Sequence, residues 1–212
     1  MTNKHLLKAK RLVLKIGSSL LVDESTGRVK NTWLNALADD ILTARERGQQ
    51  IVIVTSGAGA IGRRVLGLPP GKIKLPQKQA AAAVGQIRLA HYYQEVLAER
   101  GLKVAQVLLT LDDSEDRERY LNARNTLDTL LDLGVIPVIN ENDTVATGEI
   151  KVGDNDRLGA RVAQMVSADA LIIFSDVEGL FTANPRKDPT ATLIPVVEKM
   201  TPEIESMADG AG

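Results

Sequence analysis

Cysteine is absent from these 212 residues, so disulfides and thiolate chemistry are excluded and a reducing compartment suits the chain. Histidine occurs only as His5 and His91, too few for a His-rich metal centre. No apolar run approaches the roughly 18 residues needed to span a bilayer. The basic start, Lys4–Arg11, lacks the apolar core of a signal peptide. Neither sign of charge dominates, since the net charge is −1 with both signs interspersed, and no basic footprint argues for nucleic acid. What remains is a composition of 44% hydrophobic and 25% charged residues, that of a generic globular domain. The length suits one α/β domain with a sizeable core, expected to be soluble and cytoplasmic and to need neither membrane nor nucleic acid.

Short apolar runs alternate with helical patterns along the chain. Leu12–Ile16, Ile51–Val54, Val104–Leu109, Val135–Ile139 and Ala170–Phe174 read as strands. Ile51–Val54 shows no polar alternation, which marks a parallel strand covered on both faces. Leu20–Lys30 reads as a small hairpin or loop. Asn31 is placed to cap a helix that ends near Gly48. Pro69-Pro70-Gly71 separates a short helix from a longer one over about Gln77 to Arg100. Further helices are expected over Tyr120–Leu133, stopped by Gly134, and over Asp154–Ser167. The charged segment Asp112–Arg119 reads as a solvated run, and residues 208–212 as a Gly-rich turn. Strands and helices at this spacing imply βαβ units and a mainly parallel sheet between helices.

Two motifs are decoys. Gly57-Ala58-Gly59-Ala60-Ile61-Gly62 matches the dinucleotide pattern, yet no acidic residue occurs between Gly57 and Glu95 to hold the ribose hydroxyls. Asp154–Gly159 opens like a calcium loop, but its twelfth position is Met165 instead of a bidentate glutamate. The glycines at Thr55-Ser56-Gly57 still let backbone amides approach an anion at a helix start.

The strongest signal is a pair of polar clusters. The strand ending in Val138-Ile139 runs into Asn140-Glu141-Asn142-Asp143, and Asp154-Asn155-Asp156 stands where a helix begins. Open α/β sheets bind ligands at strand C-termini and helix N-termini, so the two clusters read as halves of one pocket. Lys15-Ile16-Gly17-Ser18, Thr55-Ser56-Gly57 and Ser175-Asp176 mark three more strand ends at the same sheet edge. Singly, each is an edge lysine, a cap or a turn; together they describe an active site.

In order, Val13–Ser19, Ile51–Ala58, Asp116–Arg119 with Leu121–Arg124, Pro137–Asp143, Ile150–Asp156 and Ser175–Leu180 resemble the amino acid kinase family. The Asn-Glu-Asn-Asp and Lys-Val-Gly-Asp-Asn-Asp pair is the most specific part, and is similar to the branch that acts on glutamate. The resemblance implies an αβα sandwich and ATP-dependent phosphorylation of the side-chain carboxylate of L-glutamate to glutamyl 5-phosphate, the first step of proline biosynthesis. It implies Lys15 and Asp156 as catalytic, with Lys15 reaching the phosphoryl group and Asp156 holding it. Ser56, Asp143 and Asn155 are implied for the amino acid, assisted by Asp154. Lys15, Gly17, Ser175 and Asp176 are implied for the nucleotide. Mg²⁺ is expected with the ATP, held by phosphates and water and not by a protein metal site. The resemblance also implies a homo-oligomer, and a role for Asp112–Arg119 near the substrate entrance, in subunit contacts or in feedback by proline.

Two alternatives stand beside this. One is a family member acting on N-acetylglutamate, aspartate, carbamate or a nucleoside monophosphate; the other is a non-catalytic glutamate or proline sensor. Family members carry a further Gly-Thr-Gly-Gly-Met-x-Thr-Lys motif whose lysine adds a second positive charge at the phosphoryl group. The chain stops at Gly212 before it, so residues 1–212 are expected to be a kinase domain lacking its C-terminal part, with no second domain.

Overall fold

The computed structural model describes residues 4–23, 26–110, 112–145 and 154–208, apart from the side chains of Asp154 and Ala208. They fall into two compact units, Met1–Phe174 and Ser175–Gly212. The first unit comprises, in chain order, α1 (Lys4–Lys8), β1 (Arg11–Ile16), α2 (Ser18–Leu21), α3 (Asn31–Glu46), β2 (Gln50–Thr55), α4 (Ala58–Val65), α5 (Leu75–Ala98) and β3 (Val104–Leu109). A 3₁₀ turn at Asp112–Ser114, α6 (Arg117–Asp132), β4 (Ile136–Glu141), α7 (Asp154–Met165) and β5 (Ala170–Phe174) follow. The second unit holds an antiparallel bridge between Phe181 and Leu193 and a terminal helix, α8 (Pro202–Ala208).

The strands form one parallel sheet in the order β3-β4-β2-β1-β5. Side chains alternate across a strand, and here both faces are covered. Leu12, Leu14, Ile16, Ile51 and Ile53 pack with Leu34, Leu37 and Ile41 of α3 and Leu89 and Tyr93 of α5. Val13, Val52, Val54 and Ile139 pack instead with Leu127 and Leu131 of α6 and Leu158, Val162 and Met165 of α7. That double cover explains why the central strands read as uninterrupted apolar runs. Lys15 follows Val13 by two residues and so shares the α7 face.

The strands and the longer helices fall where the sequence pattern puts them, with three physical differences. β4 runs on through Asn140 and Glu141, which pair with Leu108 and Leu109 of β3, so half of the polar tetrad belongs to the ladder. Asn31 is not the cap of α3: that place is held by Lys30, which makes no side-chain cap, and Asn31 begins the first turn. The charged segment Asp112–Arg119 is a folded connector. Asp113 accepts from the Thr110 amide and hydroxyl, and Asp116 caps α6 by accepting from the Arg119 amide at 2.9 Å. Arg161 of α7 reaches this connector at Ser114 Oγ (2.7 Å) and Glu115 Oε1 (2.8 Å). The Gly-rich stretch at residues 209–212 lies outside the described residues. Among the described residues no helix is long and apolar enough to cross a membrane.

At the N-terminal ends of the strands, Asp169 accepts from the amides of Lys10 (2.7 Å) and Arg11 (2.9 Å), and Arg11 bonds Gln50 and Asp128. These polar ties stitch β5, β2 and α6 to β1, leaving the opposite sheet edge for chemistry.

The α4–α5 crossing is the tightest contact of the unit. A Cβ added to Gly62 would stand 1.7 Å from the Ala81 carbonyl oxygen, and one on Gly85 would stand 1.7 Å from that of Ala58. Ala58 and Gly62 on one helix and Ala81 and Gly85 on the other are four residues apart, so each pair makes a shallow groove on one face. The backbones meet in those grooves because only glycine lets them. Gly85→Ala is therefore expected to destabilise the protein by about 1–3 kcal/mol or more through overpacking. Its urea midpoint measures this, and an unchanged midpoint would show that the helices have room to part.

Candidate active site

The C-terminal edge of β1, β2 and β4 gathers most of the residues singled out in the sequence. Lys15 is only 8% exposed. Its Nζ lies 2.6 Å from Asp156 Oδ1, in the first turn of α7. Asp156 as a side chain is 46% exposed, but Oδ1 itself is buried. The two heads meet as an ion pair without the alignment of a good hydrogen bond. Gly159 makes the approach possible. A Cβ there would stand 3.3 Å from both Cβ and Cγ of Lys15, so α7 rides on the lysine stem only because position 159 has no side chain.

Ser56 follows β2, and its hydroxyl donates to the Ile16 carbonyl at 3.0 Å. With its proton engaged, Ser56 offers a ligand acceptor lone pairs in this state. The neighbouring Gly57 has φ +106° and starts α4, a backbone that a larger residue would strain. Gly17 follows β1, with its amide donating to the Phe174 carbonyl at 3.4 Å. Asn155 shares the first turn of α7 with Asp156, and its buried Oδ1 finds no donor among the described residues. Asp143 lies just past β4 in a small cleft that it lines with Ala82, Gln86, Leu108, Glu141 and Thr144. The side chain of Asp154, and residues 146–153 with the Lys-Val-Gly motif, lie outside the described residues.

Ser175 and Asp176 open the second unit directly after β5. Ser175 Oγ lies 3.5 Å from Asp176 Oδ1, and Arg186 donates to Asp176 at 2.8 Å. The guanidinium holds the Asp176 carboxyl below the usual carboxylate range.

Two features went unread in the sequence. Asn140, 2% exposed, donates through Nδ2 to Gln86 Oε1 of α5 at 2.6 Å, while its Oδ1 has no donor among the described residues. Two turns further along α5, the buried Tyr93 hydroxyl lies 2.9 Å from Thr55 Oγ1 at the end of β2. Burial pushes the Tyr93 phenol up, despite the opposing Thr55 hydrogen bond, so it stays a neutral O–H. Helix α5 therefore braces two of the strand ends. A polar Gln86 on a face otherwise made of Ala82, Gly85, Leu89 and Tyr93 was the available signal.

A larger cavity of about 210 Å³ lies elsewhere, lined chiefly by Leu6, Leu12, Leu37, Ile41, Ile172 and Phe174. Its walls are mostly aliphatic, whereas the sheet edge offers a held cation, a carboxylate and two orphaned amide oxygens. Chemistry places the site at the edge.

A parallel sheet with helices on both faces and a lysine–aspartate pair at its C-terminal edge agree with what the sequence profile shows: the chain belongs to the amino acid kinase family, whose profile matches residues 10–210. It is 67% identical over 207 residues to the glutamate 5-kinase of Paramagnetospirillum magneticum, covering 98% of this chain and 56% of that protein. It is 62% identical over 199 residues to that of Rhodospirillum rubrum, covering 94% and 53%. The chain thus spans about half the length of these curated relatives. Among solved structures it is similar in fold to UMP kinase from Bacillus anthracis, at TM-score 0.58 and 19% identity, over 86% of this chain and 72% of that one. It is likewise similar to isopentenyl phosphate kinase from T. acidophilum, at TM-score 0.59 and 18% identity, over 87% and 78%.

Burying an ammonium against a half-exposed carboxylate does little for stability. Asp156→Ala should cost about 1–2 kcal/mol, less than a fully buried pair would, because water screens the carboxylate side. Adding Lys15→Met removes the stranded charge, and the double variant should recover most of that loss in urea unfolding. A double variant no more stable than Asp156→Ala would mean that the pair holds the fold.

Proposed function

We propose that this protein transfers the γ-phosphoryl group of MgATP to the side-chain carboxylate of L-glutamate, giving glutamyl 5-phosphate for proline biosynthesis. The observation that carries the reading is the Lys15–Asp156 pair at the sheet edge, within a chain that matches glutamate 5-kinases at 56–67% identity. We read residues 1–212 as one amino acid kinase domain, since the profile match runs across both compact units. Its substrates are free metabolites, and the reaction is read as cytoplasmic.

A carboxylate is already ionised at neutral pH, because glutamate titrates near 4.3. No general base is needed. One carboxylate oxygen attacks the γ-phosphorus, the bond to the β–γ bridging oxygen breaks, and ADP leaves with that electron pair. The protein's task is to bring two anions together and neutralise charge on the moving group. Lys15 supplies that charge. Asp156 and Gly159 fix its stem and head, so that little reorganisation is required when the phosphoryl moves. Asp143 suits the α-ammonium of the amino acid, and Ser56 and Asn155 supply its further polar contacts. Gly17 keeps the backbone open beside the phosphates, and Ser175 and Asp176 serve the nucleotide. Among the described residues no three carboxylates or imidazoles converge on a metal position. Mg²⁺ is expected to arrive as part of the MgATP substrate, held by phosphate oxygens and water. A homo-oligomer, with proline acting near the Asp112–Arg119 connector, completes the proposal.

Incubation with MgATP, L-glutamate and hydroxylamine should trap the acyl phosphate as γ-glutamyl hydroxamate. A far better yield from N-acetylglutamate, or glutamate binding with no turnover at all, would overturn the assignment.

Two variants test the roles. Lys15→Ala should lower turnover by about 10²-fold or more, as removal of a preorganised transition-state group does, with little change in glutamate affinity. Asp143→Ala should raise the glutamate KM about tenfold or more while sparing that for ATP. The reverse pattern in steady-state kinetics would exchange or remove these roles.

A further inference from the structure

We propose that Gln86 is a positioning residue for substrate selection: it fixes the Asn140 amide so that the Asn140 carbonyl oxygen accepts a hydrogen bond from the α-ammonium of the amino acid. The inference rests on the reading of the site as a glutamate site.

An asparagine amide has a donor end and an acceptor end, and the end already engaged determines what the other can do. Gln86 Oε1 accepts from Asn140 Nδ2 at 2.6 Å, so the acceptor end of Asn140 is the one left over. That end, Oδ1, is buried and meets no donor among the described residues. A buried acceptor without a donor costs free energy, and one that persists at a sheet edge is suited to take a donor from a bound ligand. Asn140 stands three residues before Asp143, and Gln86 and Asp143 line the same small cleft. An ammonium has three N–H donors, more than one carboxylate satisfies in good geometry, and a neutral amide oxygen adds an acceptor without adding charge.

Gln86 is itself held from behind. It lies next to Gly85, whose bare Cα lets α5 press onto α4. It is also two helical turns from Tyr93, which α5 anchors to Thr55. The glutamine is thus rigidly placed, and it touches no reacting atom: its effect passes through Asn140.

The test compares L-glutamate with glutarate, which keeps both carboxylates and lacks the ammonium, by titration calorimetry on wild type, Gln86→Leu and Gln86→Glu. Gln86→Leu cannot accept from Asn140, so glutamate binding should weaken about tenfold while glutarate binding holds, as loss of a hydrogen bond to a charged group predicts. Gln86→Glu still accepts and should keep the wild-type ratio of the two affinities. Equal loss of both ligands in Gln86→Leu would make Gln86 merely structural and overturn the proposal. So would a ratio unchanged in Gln86→Leu, or one that collapses in Gln86→Glu, which would mean that Asn140 presents its N–H to a substrate carboxylate. A wild type that binds no glutamate would overturn the glutamate reading and this inference with it; binding with an unmoved ratio overturns the inference alone.

Discussion

Everything functional in the first unit depends on one lysine placed where a parallel sheet would otherwise hold a valine or isoleucine. Lys15 sits in a strand paired on both sides, by β2 and by β5, with almost no exposure. An ammonium in that setting must be paired or it is expelled or neutralised. The partner is Asp156, and to bring it within 2.6 Å the helix that carries it must lie on the lysine stem. That demand fixes Gly159 as a residue without a side chain, and it fixes the face and height of α7 on the sheet. One charge therefore dictates the composition of a helix three residues away from its partner. The cost makes sense only if the charge is wanted for chemistry.

A second constraint positions the acceptor side. Helices α4 and α5 meet backbone to backbone through Gly62 and Gly85, leaving no slack in their crossing. Helix α4 grows directly out of the Ser56-Gly57 turn at the end of β2, and α5 grips the same strand end through Tyr93 and the end of β4 through Gln86. The close crossing therefore transmits rigidity to two strand ends at once. The contrast between the sides is instructive. The Lys15 side is organised by an ion pair, whereas the Asn140 side is organised by neutral amides and hydroxyls braced by a glycine contact.

How much of this could be read in advance follows from what each residue type signals. Strands covered on both faces have to be uninterrupted apolar runs, so β2, β3 and β5 were legible almost to the residue, and the polar tetrad after Ile139 marked the site. Lys15, Asp143, Asn155 and Asp156 could be singled out as candidates because charges and amides at strand and helix ends are hard to explain otherwise. Gln86 was harder to read: its one sign is a polar residue on a face otherwise made of Ala82, Gly85, Leu89 and Tyr93, and nothing local says that this face meets a strand end 54 residues away. The hydrogen-bond sense of Ser56 was also hidden. It depends on the Ile16 carbonyl, which becomes a neighbour only when β1 and β2 pair in register. The Asp112–Arg119 run looked like solvated surface because its partners, Thr110 and Arg161, are ordinary residues until the chain folds.

The fold neighbours sharpen which part of the site is generic. UMP kinase and isopentenyl phosphate kinase, by their names, act on phosphates, and they share this sheet at 18–19% identity. At such distance the architecture is common property and the chemistry is not. A lysine at the end of β1 answers a need that any phosphoryl transfer has, namely positive charge at the moving group. An amino acid adds a different need, because its ammonium must be matched by acceptors while its carboxylates are held. In the proposed reading the tetrad at the end of β4 would supply such acceptors, with Asp143 contributing charge and Asn140 a neutral oxygen. The acceptor specificity of this protein is therefore expected to reside in the β4 end and its brace from α5, and the phosphoryl chemistry in β1 and α7.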